Sequence, residues 1–216
     1  MTSDELLDLF RDEAADQEAP YLWSDSLIYS YVDDAQKMFC RLTDGISDAT
    51  SPLTRLDVAV GDSYLATSPL ILRLRNASRA DTGRAVEVVN IEDLPARGWR
   101  YDGRTGPVDA LVIGEEAGKA RTYPLPSEAL TINLSVFRLP RSSIANAGQP
   151  LEIDEQHHRH LLMWAKSLAY GKQDAETFDR NKKQGYEAEF RGYCAAVKVE
   201  QQRARFKTRA VAYGGI

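Results

Sequence analysis

The chain has 216 residues, 43% hydrophobic and 27% charged, with a formal net charge of -5. That is the composition of a globular protein large enough for one sizeable domain or two small ones. No apolar run approaches the roughly 18 residues that span a bilayer, and the acidity argues against a dedicated nucleic-acid reader.

Charge is unevenly placed. Residues 1–50 hold twelve Asp or Glu against Arg11, Lys37 and Arg41, whereas the last nineteen residues hold Lys198, Arg203, Arg205, Lys207 and Arg209 against Glu200. Oppositely charged ends of this kind can meet each other in a symmetric assembly or meet a charged partner. The opening MTSDELLDLF is acidic and lacks a signal-peptide core. Cys40 and Cys194 each fall in a helical pattern, which predicts buried thiols rather than a bridge.

In chain order, Thr2 to Ala15 predicts a first helix. Thr2 and Glu5 have capping-box spacing, and Leu6, Leu7, Leu9 and Phe10 supply an apolar face. Gln17 to Pro20 breaks it, since proline cannot continue a helix. A second helix starts at Ser24, an N-cap type, with Asp25 at the positive end of the dipole. Trp23 and Ile28 stand where a hydrophobic staple would join them. Leu27, Ile28, Tyr31, Ala35, Met38, Phe39 and Leu42 then recur at helical spacing, with Gly45 as the stop. Asp33, Asp34, Lys37 and Arg41 fall mostly between the stripe positions.

Ile46 to Pro52 reads as a loop. From Leu53 to Leu139 the period becomes alternating: Leu56, Val58 and Val60; Leu70, Leu72 and Leu74, with Arg73 and Arg75 opposite; then Ala85 to Ile91 and Val108 to Ile113. EEAGK at 115–119 reads as a hairpin tip, and Leu130 to Leu139 alternates again. Five to seven mostly antiparallel strands are predicted. Ile91 to Tyr101 does not alternate and predicts a short helical turn with Trp99 folded back on the sheet.

Beyond the loop Pro140 to Gly148, Asp154 is a candidate cap. Leu161, Leu162, Trp164, Ala165, Leu168 and Ala169 form one apolar face, ended by Gly171. Asp174 is the candidate cap of a last helix carrying Phe178, Tyr186, Phe190, Tyr193, Cys194 and Val197, reaching about Phe206. Unbroken, that helix would measure roughly 45 Å at 1.5 Å per residue, so it must project or bend at Gly185 or Gly192. The expected fold is α+β: a bundle of about four helices with an antiparallel β-sandwich or barrel-like insertion between the second and third. The expected boundaries are 1–52 with 140–206 for the bundle, 53–139 for the insertion, and 207–216 for a flexible tail.

Chemistry-bearing motifs are sparse. His157 and His160 are three apart and could share a helix face as metal ligands do. No Cys pair or His-Glu-x-x-His pattern accompanies them, so a solvated first turn is expected, with no metal and no cofactor. Neither a Gly-x-Ser-x-Gly elbow nor a Gly-x-x-x-x-Gly-Lys loop is present, and no enzyme is predicted. Asp102-Gly103 and Thr105-Gly106-Pro107 read as turns. Arg73, Arg75, Arg79 and Arg84 read as the outer face and turn of a strand pair, leaving only weak, sequence-independent DNA contact if several copies surround a duplex.

Several segments together resemble head-to-tail connector (adaptor) proteins of tailed bacteriophages. They are the Leu6-Leu7 helix, the run PYLWSD at 20–25, Asp34-Ala35-Gln36, and Tyr64 before Pro69-Leu70-Ile71. The Phe-Arg-Leu-Pro at 137–140, Glu155 to His160, and AYGKQD at 169–174 continue the likeness, ahead of a helix with Ala175, Glu176, Phe178 and Phe190. The resemblance covers most of the chain and implies a structural virion protein at the head–tail junction, assembled in the host cytoplasm. It implies a ring, commonly of twelve copies, under the portal, extending the DNA channel and carrying a tail tube, nozzle or head-completion protein. It further implies that the C-terminal tail docks on the portal, through Lys207, Arg209, Val211, Tyr213 and Ile216. No membrane partner is expected. The other reading open to the sequence is a carbohydrate- or receptor-binding module, using Trp99, Tyr101 and Tyr123 on one face of the β insertion.

Overall fold

Local signals set the helix ends in the computed structural model, which describes residues 1–99, 103–173 and 177–205. Helix α1 (Ser3–Ala14) begins with a complete capping box: Thr2 Oγ1 accepts from the Glu5 amide at 3.5 Å, and Glu5 Oε2 accepts from the Thr2 amide at 3.0 Å. Helix α2 (Asp25–Leu42) starts at Ser24, but the hydroxyl caps nothing and sits 3.2 Å from Ser26 Oγ. The Ser24 carbonyl accepts from Leu27 and Ile28, and Trp23 and Ile28, 1% and 0% exposed, form the staple. At the other end the Thr43 amide and hydroxyl both donate to the Phe39 carbonyl, at 2.9 and 2.8 Å, so the helix closes before Gly45. Gly45, at φ +74°, has a different constraint: a Cβ there would lie 2.9 Å from the Arg138 carbonyl.

A 3-10 turn, Glu155–His157, leads into α3 (His158–Gly171), and Asp154 makes no side-chain cap bond. Helix α4 (Arg180–Arg205) runs 26 residues without interruption at Gly185 or Gly192, about 39 Å at 1.5 Å per residue. Its cap is Asp179, whose Oδ1 accepts from the Asn181 and Lys182 amides at 2.9 and 3.0 Å. Asp174, the expected cap, lies outside the described residues. Phe178 precedes the helix and is 49% exposed instead of joining its buried stripe.

The chain divides into two compact units, Met1–Asp44 with Pro140–Ile216, and Gly45–Leu139. In the helical unit α3 is central, and α1, α2 and α4 all pack on it. Leu6, Phe10, Trp23, Ile28, Val32, Leu162 and Ala165 form the core. The Trp23 ring meets Phe10 and Tyr170 edge-on, at 5.7 and 5.5 Å.

The β unit holds ten described strands: β1 (Ile46–Asp48), β2 (Arg55–Val58), β3 (Tyr64–Ala66), β4 (Ile71–Arg79), β5 (Ala85–Asn90), β6 (Thr105–Gly106), β7 (Ala110–Ile113), β8 (Lys119–Tyr123), β9 (Leu125–Pro126) and β10 (Leu130–Arg138). Eight form one curled sheet in the order β1-β10-β4-β5-β7-β8-β3, with β2 also on β10; β6 and β9 pair separately. Pairing is mostly antiparallel, but β5–β7 and β6–β9 are parallel. Alternation reports which face a residue takes, not strand direction. A parallel pair needs a crossover, which two 3-10 turns, Ile91–Asp93 and Pro95–Arg97, begin.

The leucine alternation of β4 is interrupted by two bulges. Asn76 opposes Ser135 and Leu74 opposes Val136, so Arg75 is skipped; Arg73 opposes Phe137 and Ile71 opposes Arg138, so Leu72 is skipped. Each extra residue reverses the facing. Ile71, Leu74 and Ala77 therefore join the core while Leu72 is 40% exposed. Val60 lies past the end of β2 and is also exposed. Arg73 and Arg75 both lie over the Phe137 ring, at 4.8 and 5.0 Å. Trp99 folds back as expected and stacks on Tyr123 at 4.6 Å.

Candidate functional site

His157 and His160 are brought together, but around a tyrosine. His157 Nδ1 lies 2.7 Å from the Tyr193 hydroxyl, and His160 stacks on the Tyr193 ring at 3.7 Å. His157 also packs on Phe39, and His158 Nε2 bonds the Ile153 carbonyl at 2.8 Å. The triplet is packing between α3, α2 and α4 rather than a solvated turn; His157 and His158 are buried. Burial pushes the His157 imidazole below its usual range, opposed by Asp154 and helped by His160. No group of three or more His, Cys, Asp or Glu is arranged for a metal ion among the described residues. Both cysteines are buried and neither is in a disulfide, and burial pushes the Cys194 thiol up to about 12, the range of an unreactive thiol.

The PYLWSD run wraps around Arg11. The Arg11 guanidinium is buried, lies 3.7 Å over the Tyr21 ring and donates to the Trp23 carbonyl at 3.1 Å. It also pairs with Asp25 and, at 2.7 Å, with the buried Asp16, whose other oxygen accepts from the Leu22 amide at 2.8 Å. Sequence reasoning gave Arg11 and Asp16 no role, because each looks like a surface charge at its place in the pattern. The run Asp33-Asp34-Ala35-Gln36 is likewise internal structure. Asp34 accepts from Trp164 Nε1 at 3.0 Å, Asp33 from the Ile144 amide at 2.9 Å, and Ala35 and Gln36 are buried. These bonds tie α2 to α3 and to the segment leading into it.

In the β unit the corresponding pin is Asp48 with Arg138, both nearly excluded from water. Burial alone would raise the Asp48 carboxyl. Bonds from Ser51, Arg138 and the Thr50 and Ser51 amides outweigh it and hold the carboxyl well below the usual carboxylate range.

The surface of the helical unit is differentiated. A cavity of about 510 Å³ runs along α3, bordered by Glu13, Arg159, Met163, Lys166, Tyr186 and Glu189. Glu13 closes it on the α1 side by accepting from both Lys166 and Arg159. Burial acts to raise the Glu13 carboxyl, but these two cations lower it on balance. Lys166 also lies 5.3 Å over the Tyr186 ring, so α1 and α4 flank this cavity across α3. Three of the exposed large apolar side chains, Tyr21, Leu22 and Phe178, lie in the α1–α2 and α3–α4 connections.

The proposed docking residues Lys207, Arg209, Val211, Tyr213 and Ile216 lie outside the described residues. So does Tyr101 of the aromatic set; Trp99 and Tyr123 are half-buried against each other. No helix among the described residues is long and apolar enough to cross a membrane.

No curated protein matches the chain. A family model described as SU10 adaptor protein matches residues 1–212. With two units held by internal ion pairs and a sequence matched over nearly its whole length, the chain belongs to the SU10 adaptor protein family, the head-to-tail adaptors of phages, and is a structural protein of the virion.

Proposed function

We propose that the chain forms a closed ring, of twelve copies, beneath the portal vertex, where it extends the DNA channel and joins the head to a tail tube, nozzle or head-completion protein. The observation that carries this is the family match over residues 1–212. The helical unit supports it by presenting unlike exposed helices, as a head-to-tail ring contact requires. We read the helical unit, 1–44 with 140–206, as the ring-forming body, and the β unit as a separate module that starts at Gly45 rather than at the expected residue 53, because Ile46–Asp48 pairs with β10; 207–216 is the portal-docking tail, through Lys207, Arg209, Val211, Tyr213 and Ile216. The body assembles in the host cytoplasm, and DNA passes through its lumen without sequence-specific contact.

Negative-stain imaging of the purified protein with and without portal tests the ring. Rings stacked coaxially on portal are expected; portal that stays bare at saturating protein refutes the reading. Deleting residues 207–216 should abolish docking while the circular-dichroism spectrum keeps its form, and undiminished docking refutes the tail assignment. The carbohydrate-binding reading has less support, since Trp99 and Tyr123 stack on each other instead of offering free ring faces.

A further inference from the structure

Helix α1 carries five carboxylates against Arg11 alone, and Arg11 is turned inward and buried. Its exposed row is Glu5, Asp8 and Asp12, of which Asp8 has no polar partner among the described residues. Helix α4 has the opposite balance, with seven Lys or Arg against three Glu; Arg205 is held by Asp44 and Arg191 by Glu187, which leaves Lys198 and Arg203 as the cations beside its outer face. Only Phe190, Cys194 and Val197 of α4 are buried. Its opposite side presents Gly185, Ala188, Gly192, Ala195 and Val199 to solvent, flanked by Lys198 and Arg203. A Cβ at Gly185 or Gly192 would meet nothing within 4 Å.

An acidic row alone is ordinary solvated surface. Here a second helix of the same unit, across the α3 cavity from α1, carries the complementary charge beside a face free of bulk. That lack of bulk admits a neighbouring helix at the usual interaxial distance of about 8–10 Å. The charges lie at similar spacing: Asp8 and Asp12 are four residues apart and Lys198 and Arg203 five, about 6 and 7.5 Å along each helix.

We propose that the outer face of α1 in one copy seats on the outer face of α4 in the next, making the head-to-tail contact between copies. This rests on the ring reading and names the surfaces that mate. The contact is heterologous, so each copy uses one face of each kind and the chain of contacts closes. Charge pairing between exposed groups selects register and partner, and weakens with salt as the Debye length falls from about 8 Å at 0.15 M to about 3 Å at 1 M.

Two charge-reversed proteins test it. One carries Asp8→Lys with Asp12→Lys; the other carries Lys198→Glu with Arg203→Glu. Assembled mass is read by sedimentation, alone and on added portal. The unaltered protein should assemble in at least one arm. Each reversed protein alone opposes like charges and should assemble about tenfold less readily. An equimolar mixture restores unlike pairs at every contact of an alternating ring and should recover assembly; the recovery also shows that both variants fold. If the unaltered protein assembles and the reversed proteins do so equally well, or the mixture does not recover, the α1–α4 contact is wrong and the ring reading stands. If the unaltered protein stays monomeric in both arms, the ring reading falls and the contact with it.

Discussion

Replacing Arg11 with methionine removes the centre of the network beneath PYLWSD while keeping side-chain bulk. The Arg11 side chain is 9% exposed and that of Asp16 is 2% exposed. Without the guanidinium, Asp16 keeps one bond, from the Leu22 amide, and the Trp23 carbonyl loses its side-chain donor. Orphaning one partner of a buried pair costs about 3–5 kcal/mol. Asp25, whose side chain is 58% exposed, adds less than ~1 kcal/mol because solvent screens it. Against a domain stability of about 5–15 kcal/mol, the loss is a large fraction. Urea unfolding followed at 222 nm, with Trp fluorescence in parallel, should show the helical unit melting earlier. Asp16→Asn added to Arg11→Met should regain about 2 kcal/mol, because it removes the stranded charge and keeps an acceptor for Leu22. A loss below ~1 kcal/mol, or Asp25→Ala costing as much as Arg11→Met, would refute the reasoning.

Two pH-dependent outcomes follow from the buried titrating groups. Asp48 is held well below the usual carboxylate range in the folded protein, so its contribution is complete above the unfolded Asp value of about 3.9 and drains as pH falls from there toward the folded value. Asp48→Asn should flatten acid unfolding of the β unit below about pH 4, and an unchanged acid profile would count against the Arg138 pin. His157 is depressed by burial, so the folded state binds fewer protons than the unfolded one as pH drops below about 6.5. Stability of the helical unit should therefore decline as pH falls from there, and His157→Gln should reduce that slope; equal slopes would exclude His157 as the source.

Much of the helical unit was legible because its signals are local. The Thr2–Glu5 box, the Trp23–Ile28 staple and the three- and four-residue apolar steps each act within one or two turns. The same locality explains where reading by pattern failed. Ser24 looks like a cap, but its hydroxyl turned to Ser26. Asp179 caps α4, five residues after the Asp174 that the sequence offers as a cap. The leucine alternation at 70–74 continued on paper past residues that the sheet bulges out of register. Of the candidate site, the acidic start and basic end of the chain were visible as charge counts, but not which of those charges face inward.

From residue order alone came the apolar faces of the helices, the shift to β structure, and the resemblance to phage adaptors; the stretch from Ile46 that reads as a loop is in fact strand β1, paired with β10, because its partner is ninety residues away and leaves no local signal. Only the tertiary structure decided that Arg11 belongs to Asp16 and Trp23, that Asp34 belongs to Trp164, and that Asp48 belongs to Arg138 ninety residues away. Periodicity places a residue on a face of its own element. Which partner that face meets, in which direction and register, depends on contacts between distant elements, and those exist only once the chain has folded.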